Sequence, residues 1–131
     1  MKYLFLILTA VLLAGGANAQ ECDPVGAVES FLSSEPTLSS TPGTCKSQCS
    51  AQRAGCNGVA NGVSHCARAA GMAPILIEMK GCNDLEGDAR KDCKKAAKEE
   101  KKSLNEELKS AHRSAKDTCK AAATACKESC S

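Results

Sequence analysis

Residues 119–130, CKAAATACKESC, place three cysteines at the spacing C-x6-C-x3-C within a stretch rich in alanine and lysine. Residues 45–56, CKSQCSAQRAGC, carry the mirrored spacing C-x3-C-x6-C. Two antiparallel helices rise equally per residue, so residues at one level of a helical hairpin have residue numbers with a constant sum. The two stretches therefore predict an all-α fold, a long antiparallel helical hairpin whose arms are joined by disulfide bonds.

Four cysteine pairs satisfy this rule with one common sum. The two residue numbers of each pair add up to 175, which puts the turn of the hairpin at Gly87 and Asp88. The predicted disulfides are Cys45–Cys130, Cys49–Cys126, Cys56–Cys119 and Cys82–Cys93.

An 11-residue repeat along each arm supports this pairing. On the first arm it contains Cys49, Ala60, Gly71 and Cys82, and on the second arm Cys93, Leu104, Ala115 and Cys126. Such a repeat corresponds to about 3.67 residues per turn and keeps one seam facing its partner, as in a coiled coil. Disulfides need Cα atoms within about 7 Å, so the seam has to be built from small residues. We expect Ala60 to face Ala115 and Gly71 to face Leu104.

The second arm has the clearer helical composition. Residues 88–128 are rich in Ala, Lys, Glu and Leu and lack Gly and Pro, which predicts one long helix with Asp88 as its N-cap. Its Lys and Glu residues are interpreted as a solvated face with i,i+4 pairs, and a charged binding stripe is the alternative. In the first arm, a mid-helix proline removes a backbone hydrogen bond, so Pro74 predicts two helices, 44–71 and 74–80. A short strand in the stretch PILIEMK is the alternative.

Cys22 and Cys66 remain after the four pairs are assigned. The stretch DPVGAVESFLSS predicts a short helix with Asp23 as N-cap and Pro24 at its first position. Its apolar residues recur at helical spacing. A Cys22–Cys66 bond would hold this helix against the hairpin. Residues 20–43 are thus interpreted as a short helix and linker, and residues 44–131 as the stapled hairpin.

Residues 1–19 have the features of a secretory signal peptide. Lys2 precedes an apolar run that ends in the cleavage motif Ala-Asn-Ala, residues 17–19. All ten cysteines follow it, an even number that is typical of a disulfide framework in an oxidising compartment. We therefore expect a periplasmic or extracellular protein without a membrane span in the mature chain.

The charge of the mature chain is nearly balanced. After removal of Lys2, the chain has 16 basic and 15 acidic residues, and this balance argues against nucleic-acid binding.

Residues 79–95, MKGCNDLEGDARKDCKK, resemble the repeat of bacterial phosphate-starvation-inducible PsiF proteins. The repeat occurs once here, with shorter spacing between its conserved elements. The resemblance implies a small exported bacterial protein and no specific chemistry. The doubled C-x3-C motif is also similar in topology to the helical hairpins of plant α-hairpinins, whose known roles include protease inhibition and antimicrobial action.

Three functional classes are compatible with these features. The first is a non-enzymatic binding or structural protein whose partner is another protein or a cell-surface component, with no cofactor and no resident metal. The second is a protein that binds or stores Cu(I) through thiolates, which favour that ion, as in copper-storage bundles. The third is a serine-protease inhibitor or toxin-like effector that presents Arg90 or Lys91 from the loop closed by Cys82 and Cys93. His65 and His112 are interpreted as ordinary surface histidines, and the oligomeric state is left open.

Overall fold

The computed structural model describes residues 22–34 and 37–130, and within them it contains helices and no strand. Helix α1 spans Pro24–Ser33, α2 spans Pro42–Gly81 and α3 spans Gly87–Glu128. A 3₁₀ helix, Cys82–Asp84, connects α2 to α3. At 1.5 Å per residue, α2 and α3 are each about 60 Å long. The predicted all-α hairpin with a short N-terminal helix is confirmed, whereas the predicted signal peptide lies outside the described residues.

Helix α2 is continuous, so the predicted break at Pro74 is wrong, as is the strand alternative for PILIEMK. Pro74 and Ala70 are both exposed, and water can therefore bond the carbonyl that the missing N–H leaves free. The next residue, Ile75, is only 3% exposed. Burial of this side chain, together with disulfides on both sides of the proline, offsets the local penalty and keeps the helix in one piece.

The turn between the long helices differs from the prediction by one residue. Helix α3 begins at Gly87, and Glu86 occupies the N-cap position without a side-chain hydrogen bond. Gly87 has φ +56°, a left-handed conformation that glycine adopts without strain. Asp88 therefore lies in the first turn of α3, and its predicted role as N-cap is wrong. It is exposed and forms an ion pair with Lys91, with 3.5 Å between Lys91 Nζ and Asp88 Oδ1.

Helix α1 begins as its sequence predicts and covers the middle of the hairpin. The Asp23 carboxylate accepts a hydrogen bond from the backbone N–H of Val25 at 3.1 Å, and Pro24 is the first helical residue. Val28 is fully buried. The core around it contains two cysteines and two alanines from the long helices: Cys56, Ala60, Ala115 and Cys119. Because these residues come from both α2 and α3, the short helix packs against both arms.

Small residues form the seam between α2 and α3. Ala60 and Ala115 are fully buried. A Cβ atom added to Gly71 would lie 2.9 Å from Leu104 Cδ2, so these residues face each other at the predicted level. A Cβ atom added to Gly58 or Gly62 would meet nothing within 4 Å. Those two glycines therefore do not mark a close approach of the helices.

Candidate functional site

The ten cysteines form five disulfides, and the pairs are the same as those derived from the sequence. Four bonds connect the two arms of the hairpin from its tip to its open end: Cys82–Cys93, Cys56–Cys119, Cys49–Cys126 and Cys45–Cys130. Their Cα–Cα distances are 5.6–5.7 Å. The fifth bond, Cys22–Cys66, ties the start of α1 to α2 at 5.4 Å. Every cysteine of the chain is therefore bonded, and none is a free thiol.

Two neighbouring disulfides bring four cysteines together at the open end of the hairpin. Cys45 and Cys49 are one helical turn apart on α2, and Cys126 lies in the last turn of α3 with Cys130 four residues later, just past the end of the helix, so two disulfides stack. The sulfurs of Cys45, Cys49 and Cys130 lie within 4.8 Å of one another, and all three residues are buried. The Sγ atoms of Cys49 and Cys130, which are not bonded to each other, are 3.6 Å apart. Reduction of these two bonds would leave a compact set of thiols.

The tip of the hairpin does not present the predicted basic residues from a loop. Arg90 and Lys91 lie in the first turns of α3. The Arg90 guanidinium donates hydrogen bonds to the backbone carbonyls of Leu85, at 2.6 Å, and Asn83, at 3.1 Å. This side chain therefore closes the connection between α2 and α3, although the residue is exposed.

A cleft of about 250 Å³, called the histidine cleft below, lies between the arms near their middle. Helix α2 contributes Asn61, Ser64, His65 and Arg68, and α3 contributes Leu108, Lys109 and His112. His112 Nε2 and Asn61 Oδ1 are 2.8 Å apart, so the imidazole of one arm is hydrogen-bonded to the amide of the other. Partial burial, followed by the positive charges of Lys116 and His65, lowers the pKa of His112 below its ordinary value. The charged residues that line the cleft, Arg68 and Lys109, are both cations, which favours anions.

A second cleft, of about 420 Å³, adjoins the histidine cleft and is called the lysine cleft below. It shares Arg68 and Lys109 with the histidine cleft. Its other lining residues, all from α3, are Lys98, Lys101, Lys102, Asn105 and Glu106. The Asn105 Oδ1 atom is buried and has no hydrogen-bond partner within the described residues. Cations thus predominate along one side of the hairpin.

Neither cleft was predicted from the sequence, although the level rule for the hairpin contains the signal. Paired levels have residue numbers that add up to 175, and the numbers of Arg68 and Lys109, like those of His65 and His112, add up to 177. These pairs are therefore almost level with each other on the two arms. The histidines were interpreted as ordinary surface residues, yet both line one cleft.

Comparison with known proteins finds no family model, no curated sequence and no solved structure that matches this chain. The resemblance of residues 79–95 to the PsiF repeat therefore stays a prediction. Across residues 22–34 and 37–130, no helix combines the length and the apolar composition that a bilayer span requires. The functional argument rests on the disulfides and on the two clefts.

Proposed function

We propose that this chain is a small exported, non-enzymatic protein that serves as a rigid binding or structural module. The observation that carries the proposal is the series of four disulfides that join the two arms from the tip of the hairpin to its open end. Such bonds persist in the periplasm and outside the cell, and reducing systems remove them in the cytosol. A module with this much covalent cross-linking suits an oxidising compartment.

The composition of the core explains why the protein needs the cross-links. Its buried residues are mostly cysteines and alanines, with Val28 and Ile75 the larger aliphatic residues. Small side chains bury little apolar area, and each glycine inside α2 costs a helix about 1 kcal/mol relative to alanine. Disulfides stabilise the fold mainly by limiting the conformations of the unfolded chain, and they substitute here for a large hydrophobic core.

The absence of an enzymatic role is part of the proposal and rests on the cysteines. A cysteine nucleophile requires a free thiolate, and all ten cysteines are bonded. The clefts offer cations and imidazoles, which suit the binding of an anion. We accordingly propose recognition, rather than turnover, as the activity of this surface, with another protein or a cell-surface component as the partner.

Cu(I) binding is the second candidate, and the sulfur cluster at the open end favours it. Reduced Cys45, Cys49 and Cys130, whose sulfurs lie within 4.8 Å of one another, would offer three soft ligands, and Cys126 would offer a fourth. This function requires a reductant that opens two disulfides before the metal binds. Cu(I) titration of the reduced protein, followed by its thermal unfolding, tests it, since metal that binds the folded state raises the unfolding temperature.

Protease inhibition finds less support. An inhibitor of a trypsin-like protease needs an exposed basic side chain on a rigid loop. Arg90 and Lys91 instead lie within helix α3, and the Arg90 guanidinium donates to two carbonyls of the connection. Trypsin activity measured with an excess of the protein should therefore be unchanged.

The proposed function is tested by expressing the full chain in a bacterium and analysing the exported fraction. The intact mass under non-reducing conditions should correspond to loss of residues 1–19 and of ten hydrogens. Circular dichroism should show a helical protein that unfolds at much lower temperature after reduction. A protein that retains residues 1–19 and free thiols, or that is equally stable after reduction, would contradict the proposal.

A further inference from the structure

The two clefts have a marked excess of positive charge. Together they are lined by five cations and one carboxylate, Glu106, which leaves a surplus of four positive charges before the histidines are counted. The cations are Arg68, Lys98, Lys101, Lys102 and Lys109. The mature chain as a whole is nearly neutral, with 16 basic and 15 acidic residues. This surplus is therefore local to one side of the hairpin.

The distribution of glutamates shows that this side is not an evenly mixed solvated face. Residues 98–109, KEEKKSLNEELK, contain four glutamates, and only Glu106 lines either cleft. Glu106 lies 3.6 Å from Lys109, but both side chains are more than half exposed. An exposed pair of this kind contributes little free energy, so a ligand can compete for Lys109.

A neutral polar group in the histidine cleft suits a phosphate ligand. His65 can present a ring N–H to an oxyanion, whereas His112 donates its Nε2–H to Asn61 Oδ1 at 2.8 Å.

We propose that the histidine cleft and the lysine cleft form one binding site for a short oligophosphate, with Arg68 and Lys109 at its centre. Arginine binds phosphate through two parallel hydrogen bonds, and lysine binds it as a point charge. The cations of α3 extend over 11 residues, about 16 Å of helix, which suits several phosphates in a row better than one. The surplus of four positive charges complements a linear tri- or tetraphosphate. This inference rests on the proposed binding role and specifies the ligand class.

Isothermal titration calorimetry with the oxidised mature protein tests the proposal. The probes are inorganic phosphate, pyrophosphate, tripolyphosphate and ATP, all free of divalent metal and at one ionic strength. Affinity should rise along the first three probes, with one tripolyphosphate bound per chain. Equal or tighter binding of ATP identifies the source of the ligand as a phosphate ester, and weaker binding identifies it as free oligophosphate.

The decisive comparison uses two double variants that remove the same charge. Arg68→Gln with Lys109→Gln changes the centre of the site, and Arg53→Gln with Lys120→Gln changes one cation on each arm outside both clefts. A hydrogen bond to a charged group contributes a factor of about ten or more in affinity. We therefore expect the first variant to bind tripolyphosphate at least about tenfold more weakly and the control less than about twofold more weakly.

Equal losses in the two variants would mean that only net charge matters and would overturn the site. Affinity that does not increase from phosphate to tripolyphosphate would overturn it as well. Arg68 and Lys109 are exposed, so their replacement should leave the fold intact, and circular dichroism with non-reducing mass spectrometry verifies this for each variant. A folded, fully oxidised protein without oligophosphate affinity removes this inference and leaves the proposed scaffold role standing.

Discussion

Removal of the Cys56–Cys119 bond should destabilise the protein more than removal of the Cys45–Cys130 bond. Cys56–Cys119 spans 63 residues and encloses Cys82–Cys93, which spans 11, so it constrains 52 residues that the tip bond leaves free. The outermost bond spans 85 residues and encloses Cys49–Cys126, which spans 77, so it constrains only 8 more. The comparison pairs Cys56→Ala with Cys119→Ala, and Cys45→Ala with Cys130→Ala.

The expected magnitudes follow from these loop lengths. In the chain-entropy model, loops of about 50 and about 8 residues correspond to about 4 and about 2.5 kcal/mol. Once Cys56–Cys119 is removed, Cys49–Cys126 still joins the arms, which reduces the entropic loss to about 3 kcal/mol. Cys56 and Cys119 pack against Val28, and Cys45 and Cys130 are buried as well, so truncation of the side chains adds about 1 kcal/mol to both variants and leaves their difference unchanged. The outer bond lies in the terminal turns, which can fray alone, so its loss should cost less than about 2.5 kcal/mol.

Guanidinium unfolding of the metal-free, oxidised proteins, followed by far-ultraviolet circular dichroism, measures both values. Mass spectrometry under non-reducing conditions first verifies that each variant retains its four remaining disulfides. A larger loss for the outer pair than for the inner pair would refute the nested-loop reasoning. Indifference to both replacements, combined with strong stabilisation by Cu(I) after reduction, would move the copper function to first place.

Three further predictions concern single residues. Gly58→Ala should raise the free energy of unfolding by about 1 kcal/mol, because the new Cβ meets nothing and alanine favours the helix. Gly71→Ala should lower the free energy of unfolding, because the new Cβ would press on Leu104. Thermal unfolding measures both changes. Since partial burial lowers the pKa of His112, its NMR titration midpoint should lie below 6.5. The contribution of this residue to stability should be complete above pH 6.5 and should be lost as the pH falls through the lower pKa of the folded state. Arg90→Gln should speed hydrogen exchange in the connection by removing its two hydrogen bonds to loop carbonyls, and unchanged exchange would contradict that role.

The disulfide pairing was predictable because helix geometry is nearly independent of sequence. Every residue of an antiparallel pair advances by the same rise, so cysteine numbers alone specify which residues are level. Helix α1 was predictable for a local reason, since Asp23 and Pro24 are a strong start signal and each acts within a few residues. Both predictions depend on short-range or regular geometry.

The remaining features depend on long-range contacts that the local sequence does not encode. Pro74 carries a local penalty of about 3 kcal/mol, and only the packing of α2 on α3 and the flanking disulfides explain why the helix continues. The clefts depend on how α3 is rotated about its axis, which decides that Glu106 lines a cleft and the other nearby glutamates do not. A small shift in rotation would mix the charges, so composition alone cannot predict the site.

The nesting of the disulfides also determines what happens when the backbone is nicked. Any peptide bond between Cys45 and Cys130 is enclosed by their disulfide, and any peptide bond between Cys22 and Cys66 is enclosed by theirs. These two loops overlap, so one cleavage anywhere from Cys22 to Cys130 leaves the two fragments covalently attached. Release of a fragment requires at least a second cleavage or a reductant. A single cut by an extracellular protease would therefore create two new chain ends, and the two fragments would stay joined by disulfides.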